Sequence, residues 1–282
     1  MITISELGAL RETVAAARAS ERSIGLVPTM GALHEGHLSL VRIARRGCAF
    51  VAVSIFVNPL QFGPTEDFAR YPRRPQEDAA LLDREGVDLL YLPDAEEFYP
   101  KDFSTSIEVI GPSEGGEGAV RPGHFRGVAT AVAKLLLRIQ PDVAFFGRKD
   151  LQQTAVIRRM VRDLDFPLRV EVCDVVREPD GLAFSSRNAY LSPEERRHAA
   201  TLPHALFAAR DRASAGETDA RALVRRTREE LERAGLAVDY VEVVDPETMR
   251  PIERVCPGAA LAAAIRLGKT RLIDNVLLLE ER

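Results

Sequence analysis

Two rhythms alternate along the chain. Apolar runs at residues 24–27 and 143–146, the almost wholly apolar 48–57, and the shorter stretches 87–92 and 169–176 read as strands of a parallel sheet. The stretches between them carry apolar residues at helical spacing, over 7–19, 34–46, 77–86, 128–139 and 151–163. Ser5 is the expected N-cap of the first helix. Pro28 should end its run, because it has no N–H to give to a ladder. Residues 104–110 alternate weakly and read as a further strand; the glycine-rich 111–118 reads as a loop. Strands and helices in strict turn predict an α/β fold with a doubly wound parallel sheet.

After residue 176 the texture changes. Ser192 and Pro193 look like an N-cap and a first helical residue, opening helices over 194–212 and 219–234. Apolar runs at 240–244, 259–267 and 271–279 then read as antiparallel strands, the last two joined by a turn at 267–270. The expected organisation is a Rossmann-like domain over 1–176 and a smaller α+β domain over 177–282.

The bulk numbers exclude more than they select. A chain of 282 residues, 46% hydrophobic and 28% charged, is ordinary for a globular protein. A net charge of -4 gives no basic surface for nucleic acid or an anionic membrane. Cys48, Cys173 and Cys256 are odd in number and show no metal spacing, so they read as free buried thiols in a reducing compartment, the cytoplasm. The first residues do not resemble a signal peptide, and no run is long enough to span a bilayer. Only four of the 38 basic side chains are lysines: Lys101, Lys134, Lys149 and Lys269.

Chemistry concentrates in three strings. The first follows the strand at 24–27 and holds Met30, Gly31, Ala32, Leu33, His34, Glu35, Gly36 and His37. His34 and His37, three apart at a helix start, put both rings on one side of the first turn. That turn also offers unpaired N–H groups and the positive end of the helix dipole, so a phosphate is its natural occupant. The metalloprotease pattern His-Glu-x-x-His is absent, and zinc would want a third ligand.

The second string, Gly147-Arg148-Lys149-Asp150, ends the strand at 143–146. Its glycine admits a phosphate and its lysine supplies a point charge. Asp150 suits a ribose hydroxyl, Mg²⁺ or a helix cap. The third, Phe184-Ser185-Ser186-Arg187, sets two hydroxyls and a guanidinium behind Gly181, donors suited to triphosphate oxygens. Gly268-Lys269-Thr270 ends like a phosphate loop, but the spacing fails and a hairpin turn is expected there. The loops over 29–37 and 58–63 both lie at the carboxyl edge of the predicted sheet, where such folds bind ligands.

The string from Pro28 to His37 resembles the signature of the pantoate–β-alanine ligase family. Its His34-Glu35-Gly36-His37 core resembles the His-x-Gly-His element of the wider nucleotidylyltransferase superfamily. Ser54-Ile55-Phe56-Val57-Asn58-Pro59-Leu60-Gln61-Phe62, Arg121-Pro122-Gly123-His124-Phe125-Arg126-Gly127 and the second and third strings match the same family in order. The likeness thus runs over residues 24–191. Phe184 departs from it, since the family usually has Met there.

The resemblance implies an ATP-dependent ligase that condenses (R)-pantoate with β-alanine through pantoyl adenylate, releasing AMP and pyrophosphate. It implies His37, His34, Lys149 and Arg187 as catalytic groups. The ATP site would take residues 30–37 with Gly147, Arg148, Lys149, Asp150, Val176 by its main chain, Phe184, Ser185, Ser186 and Arg187. Gln61 and Gln153 would bind pantoate, and Gln61 would also touch β-alanine. ATP with Mg²⁺ and a homodimer follow from the same likeness, while nucleic acid and membrane partners do not. The loops over 62–75 and 115–118 are candidate lids, because an acyl adenylate must be kept from water. Another nucleotidylyltransferase of the same superfamily, a nucleotide-binding module without turnover and a zinc protein are the competing readings.

Overall fold

The structure is a computed structural model describing residues 1–64 and 66–280. The chain forms two compact units. The first takes Met1–Val109, Arg121–Gly147 and Val156–Cys173. The second takes Ile110–Val120, Arg148–Ala155 and the described part of 174–282.

In the first unit, β1 (Ile2–Ile4), β2 (Ile24–Thr29), β3 (Phe50–Ile55), β4 (Leu89–Tyr91), β5 (Val143–Gly147) and β6 (Arg169–Cys173) form one sheet in the order β1-β4-β3-β2-β5-β6. Every pairing in it is parallel. Helices α1 (Leu7–Ala19), α2 (Glu35–Gly47), α3 (Pro75–Arg84), the single turn α4 (Ala95–Phe98), and α6 (His124–Ile139) belong to this unit; α5 (Gly116–Val120) belongs to the second, and α7 (Leu151–Asp163) has residues in each.

The sheet is doubly wound. From β2 the chain builds outward to β3 and β4, then returns to lay β5 on the other flank of β2. This reversal makes a switch point, the place in such sheets where two loops part and leave a crevice. Neighbouring β2 residues serve opposite faces, as a pleat requires. Leu26 packs with Leu10, Leu136, Ile139 and Met160 from α1, α6 and α7. Val27 packs with Leu40, Val41 and Leu82 from α2 and α3.

Several expectations are corrected. β2 runs through Pro28 to Thr29, with Pro28 opposite Ser54. The β5 side of β2 is paired only at Gly25 and Leu26, so a residue without an N–H costs that flank nothing. Ser5 is not the cap of α1; Glu6 holds that position, with no side-chain cap hydrogen bond. Residues 104–110 form no strand; Ile107 N donates to Thr130 Oγ1 on α6 instead. Part of the 111–118 loop is helical, as α5. Cys48 and Cys173 are buried as free thiols, but Cys256 is exposed, in the segment between Val244 and Ala260.

The second unit holds α8 (Pro193–Ala199), α9 (Thr201–Ser214), α10 (Ala220–Arg233) and an antiparallel sheet β7 (Ala237–Val244), β8 (Ala260–Leu267), β9 (Thr270–Leu277). Ser192 caps α8 with a full capping box to Glu195. The single helix expected over 194–212 is broken at Ala200, because Pro203 has no N–H for the carbonyl four residues back. One sheet face buries Leu261, Ala263 and Ile265 against Leu202, Leu206 and Leu223. The other sets Ala260 and Ala262 with Leu151 and Ala155. The turn at 267–270 joins β8 to β9, with Gly268 at φ +53.

One close approach in the first unit is testable. A Cβ on Gly127 of α6 would lie 2.1 Å from the Leu60 carbonyl oxygen. Asn58 Nδ2 donates to the Gly127 carbonyl at 3.0 Å. The helix therefore packs its bare backbone on the short turn Pro59–Gln61. Gly127→Ala should cost about 1–3 kcal/mol of stability, read from the urea midpoint.

Candidate active site

The turn after β2 is held by side chains from outside it. Thr29 Oγ1 donates to Ser54 O at 2.9 Å and accepts from Gly31 N at 3.2 Å. Gly31 and Ala32 then take left-handed backbone, at φ +81 and φ +49. Their conformation aims two successive amides at one carboxylate: Ala32 N and Leu33 N donate to Asp78 of α3 at 2.9 and 2.8 Å. Burial pushes the Asp78 carboxyl above its ordinary value, and the two amides pull it back only in part.

This turn delivers His34 as the N-cap residue of α2, in extended conformation. Its side chain makes no cap hydrogen bond to the first turn. The His34 and His37 rings stack at 4.0 Å between centroids, tilted by 28°. Glu35 is turned onto Arg42 of the same helix, which also pairs with Glu85 at 2.6 Å. Gly36 O accepts from Ser39 Oγ.

Gln61 is brought to the same turn. Its Nε2 donates to Met30 Sδ at 3.0 Å, and its Oε1 accepts from Asn58 Nδ2 at 3.0 Å. Asn58, 2% exposed, also takes Leu60 N and the Tyr99 hydroxyl on its oxygen. The Gln61 carbonyl meets His124 Nδ1 at 2.8 Å, and Arg121 Nη1 meets His124 Nε2 at 3.0 Å. Since guanidinium only donates, Nε2 accepts and Nδ1 carries the proton that goes to Gln61 O. Gly147 ends β5, where an added Cβ would meet nothing within 4 Å.

The remaining predicted residues lie in the second unit. Lys149 sits in the short turn Arg148–Asp150, with its Nζ 3.4 Å from Asp150 Oδ1. Arg148 pairs with Asp174 at 2.9 Å. Asn275 Nδ2 donates to Arg148 O and Lys149 O at 2.8 and 3.0 Å. Val176 O accepts from Phe184 N at 3.1 Å, closing a narrow loop that leads into Ser185. Ser185 Oγ caps the next turn, Ser186–Tyr190, by accepting from Arg187 N.

Gln153, in the first turn of α7, is half-buried beside fully buried Gln152. Gln152 Oε1 accepts from Glu117 N at 2.9 Å, while its Nε2 meets Pro112 O and Glu114 O at 3.0 and 2.9 Å. Glu117 is paired twice with Arg271. The second expected lid is thus tied at its base.

Sequence reasoning missed Asp78, Asn58 and Asn275. Asn58 before a Pro was a readable cap signal. The partners of Asp78 and Asn275 are main-chain atoms far along the chain, and no side-chain pattern announces them.

The sequence profile of the family described as Pantoate-beta-alanine ligase matches residues 2–277. The pantothenate synthetase of Acidobacterium capsulatum is 57% identical over 258 residues, 91% of this chain and 86% of that protein. The crystal structure of pantothenate synthetase from Thermus thermophilus superposes with TM-score 0.94 at 49% identity, over 99% of this chain and all of that one. Pantoate-beta-alanine ligase from Francisella tularensis, solved with Beta-gamma ATP and beta-alanine, gives TM-score 0.83 at 31% identity over 99% and 98% of the two chains.

The support beneath Gln61 has a pH signature. Burial alone would raise the Glu66 carboxyl, but the Arg121 guanidinium at 2.7 and 2.6 Å holds it below its ordinary 4.5. A depressed carboxyl adds stability above its unfolded value and loses it as pH falls through the folded one. Arg121→Met should cost roughly 1–3 kcal/mol at neutral pH. In urea titrations at stepped pH the gap to the parent chain should close below about 4.5.

Proposed function

Because the chain belongs to the pantoate–β-alanine ligase family, we propose that it joins (R)-pantoate to β-alanine at the expense of ATP. A pantoate carboxylate oxygen attacks the α-phosphorus, and the bond from that phosphorus to the β-bridging oxygen breaks. Pyrophosphate leaves and pantoyl adenylate remains. The β-alanine amine then attacks the activated carbonyl, AMP leaves with the bonding electron pair, and the new amide nitrogen gives up a proton.

One observation supports this reading above the others: two stacked imidazoles at the head of α2, on a turn fixed from behind by a buried carboxylate. Neutral or protonated, rings stacked 4.0 Å apart can donate to the same anion, and protonated rings would repel each other unless an anion lay against both. A triphosphate is such an anion, and the α2 N-terminus favours it further. His34 and His37 donate to phosphate oxygens as negative charge moves onto the leaving pyrophosphate. Lys149, Ser185, Ser186 and Arg187 supply the other donors, and the main chain over 30–37 and at Gly147 and Arg148 lines the nucleotide.

Val176 meets adenine by its main chain, with Phe184 packing nearby, and Asp150 takes a ribose hydroxyl or the metal. The Gln61 amide, fixed by Asn58 and Met30, binds pantoate and later the amine of β-alanine; Gln153 takes the other side of pantoate. In this reading residues 1–176 bind ATP and pantoate, while 177–282 bring the Ser-Ser-Arg loop. The enzyme works as a homodimer in the cytoplasm.

Among the described residues no group of three His, Cys, Asp or Glu is placed to hold an ion. Mg²⁺ carried on a nucleotide asks for less, one or two carboxylates besides phosphate and water, and half-exposed Asp150 fits that need. Bound there, the ion would neutralise charge on the departing pyrophosphate.

His37→Ala and Lys149→Ala should each lower turnover by roughly 10²–10³-fold, the scale of one transition-state donor. The assay is AMP and pyrophosphate release with Mg²⁺, ATP and pantoate, with and without β-alanine. Near-normal release from both variants would sink the proposal. So would a nucleotide-linked end product, which the wider superfamily makes.

A further inference from the structure

In the second unit, two neighbouring residues of β9 reach two separate loops. Asn275 stands opposite Ala262 and Asp274 opposite Ala263, so their side chains leave opposite faces of the sheet. Both are 2% exposed, in a strand that also buries Leu272 and Val276.

Asn275 spends its amide on one main-chain segment. Its two N–H bonds go to Arg148 O at 2.8 Å and Lys149 O at 3.0 Å. Those carbonyls belong to the peptide planes on either side of the Lys149 Cα. Fixing both planes fixes φ and ψ at Lys149, and with them the direction in which its side chain departs.

Asp274 does the same for the other loop through Arg177. The guanidinium is bidentate on the carboxylate, at 2.6 and 3.0 Å. It also donates to Gly181 O and Asn275 O, each at 3.0 Å. Arg177 pairs with Ala183 in the bridge that closes the loop before Ser185. Asp274 Oδ1 accepts from Asn275 N at 2.7 Å, so the two anchors form one network.

We infer that Asn275 and Asp274 are positioning residues for adenylation, holding the Lys149 turn and the Ser185–Arg187 loop in one register. The inference rests on the reading that Lys149, Ser186 and Arg187 handle the triphosphate. Burying an amide and a carboxylate in a strand is costly, and Asn275 Oδ1 lies buried with no hydrogen-bond partner among the described residues, a cost the strand bears for the two bonds its Nδ2 makes. Here the bonds go to the two segments whose direction the chemistry needs.

The test is a double-mutant cycle on pantoyl-adenylate formation in a single turnover, using Asn275→Ala, Lys149→Ala and the pair. A misplaced donor costs up to about 10²-fold, so Asn275→Ala should slow adenylation by roughly 10–100-fold. The fall should be in kcat, with the KM for ATP little changed. If Asn275 acts through Lys149, the double variant is no slower than Lys149→Ala alone. Rates that multiply would mean a general structural role and overturn the inference, as would a normal rate in Asn275→Ala.

Should Asn275→Ala fail to melt cooperatively, Asn275→Ser, which keeps one donor, takes its place in the same cycle with the same criteria. Lys149→Ala separates the two levels. If it is slow while the Asn275 variant is normal, only the positioning role falls. If it is itself normal, the reading of Lys149 falls and takes this inference with it.

Discussion

A carboxylate shut away from water sets the geometry of the first unit's chemistry. Asp78 is 2% exposed and holds two consecutive amides of the turn after β2. Ala32 sits there at φ +49, a conformation that costs an L-residue about 1–2 kcal/mol. Charge-assisted hydrogen bonds offset that strain. Gly31 beside it has no alternative, since a Cβ would lie 2.9 Å from Ile55 Cγ2 and 3.0 Å from the carboxylate itself. The turn then decides where α2 begins, and so where the His34 and His37 rings lie.

Much of the fold was legible because burial leaves a periodic trace. Helices α1 and α7 begin and end where the apolar spacing places them, and the late hairpin follows from its runs and turn. The misreadings have local causes. β1 has three residues, too few for a pattern, and is held by β4 rather than by its own composition. Pro28 was judged as if β2 were paired on both sides along its whole length. Residues 104–110 alternate, yet their hydrogen bond goes to a helix hydroxyl, not to a strand.

The candidate donors are visible in the sequence, and most of the residues that hold their segments are not. His34, His37, Lys149, Ser185 and Arg187 stand out because clustered donors beside glycine have few structural uses. Asp78, Gln152 and Asn275 carry no such mark. Each is a polar residue inside a helix or strand, and each bonds to main chain that any sequence could provide. Their meaning lies in the direction of a carbonyl or an amide, which a string of letters does not record.

The late return of β5 to β2 shapes how this chain can be born. A ribosome releases β2, β3 and β4 long before the strand that must cover the open flank of β2. Until Val143 and Ala144 emerge, Gly25 and Leu26 present bare backbone groups on that side. Closing so long a stretch is slow. The nascent half-sheet therefore carries an adhesive margin through much of its synthesis, and a chaperone that shields that margin would raise yield without touching the finished enzyme.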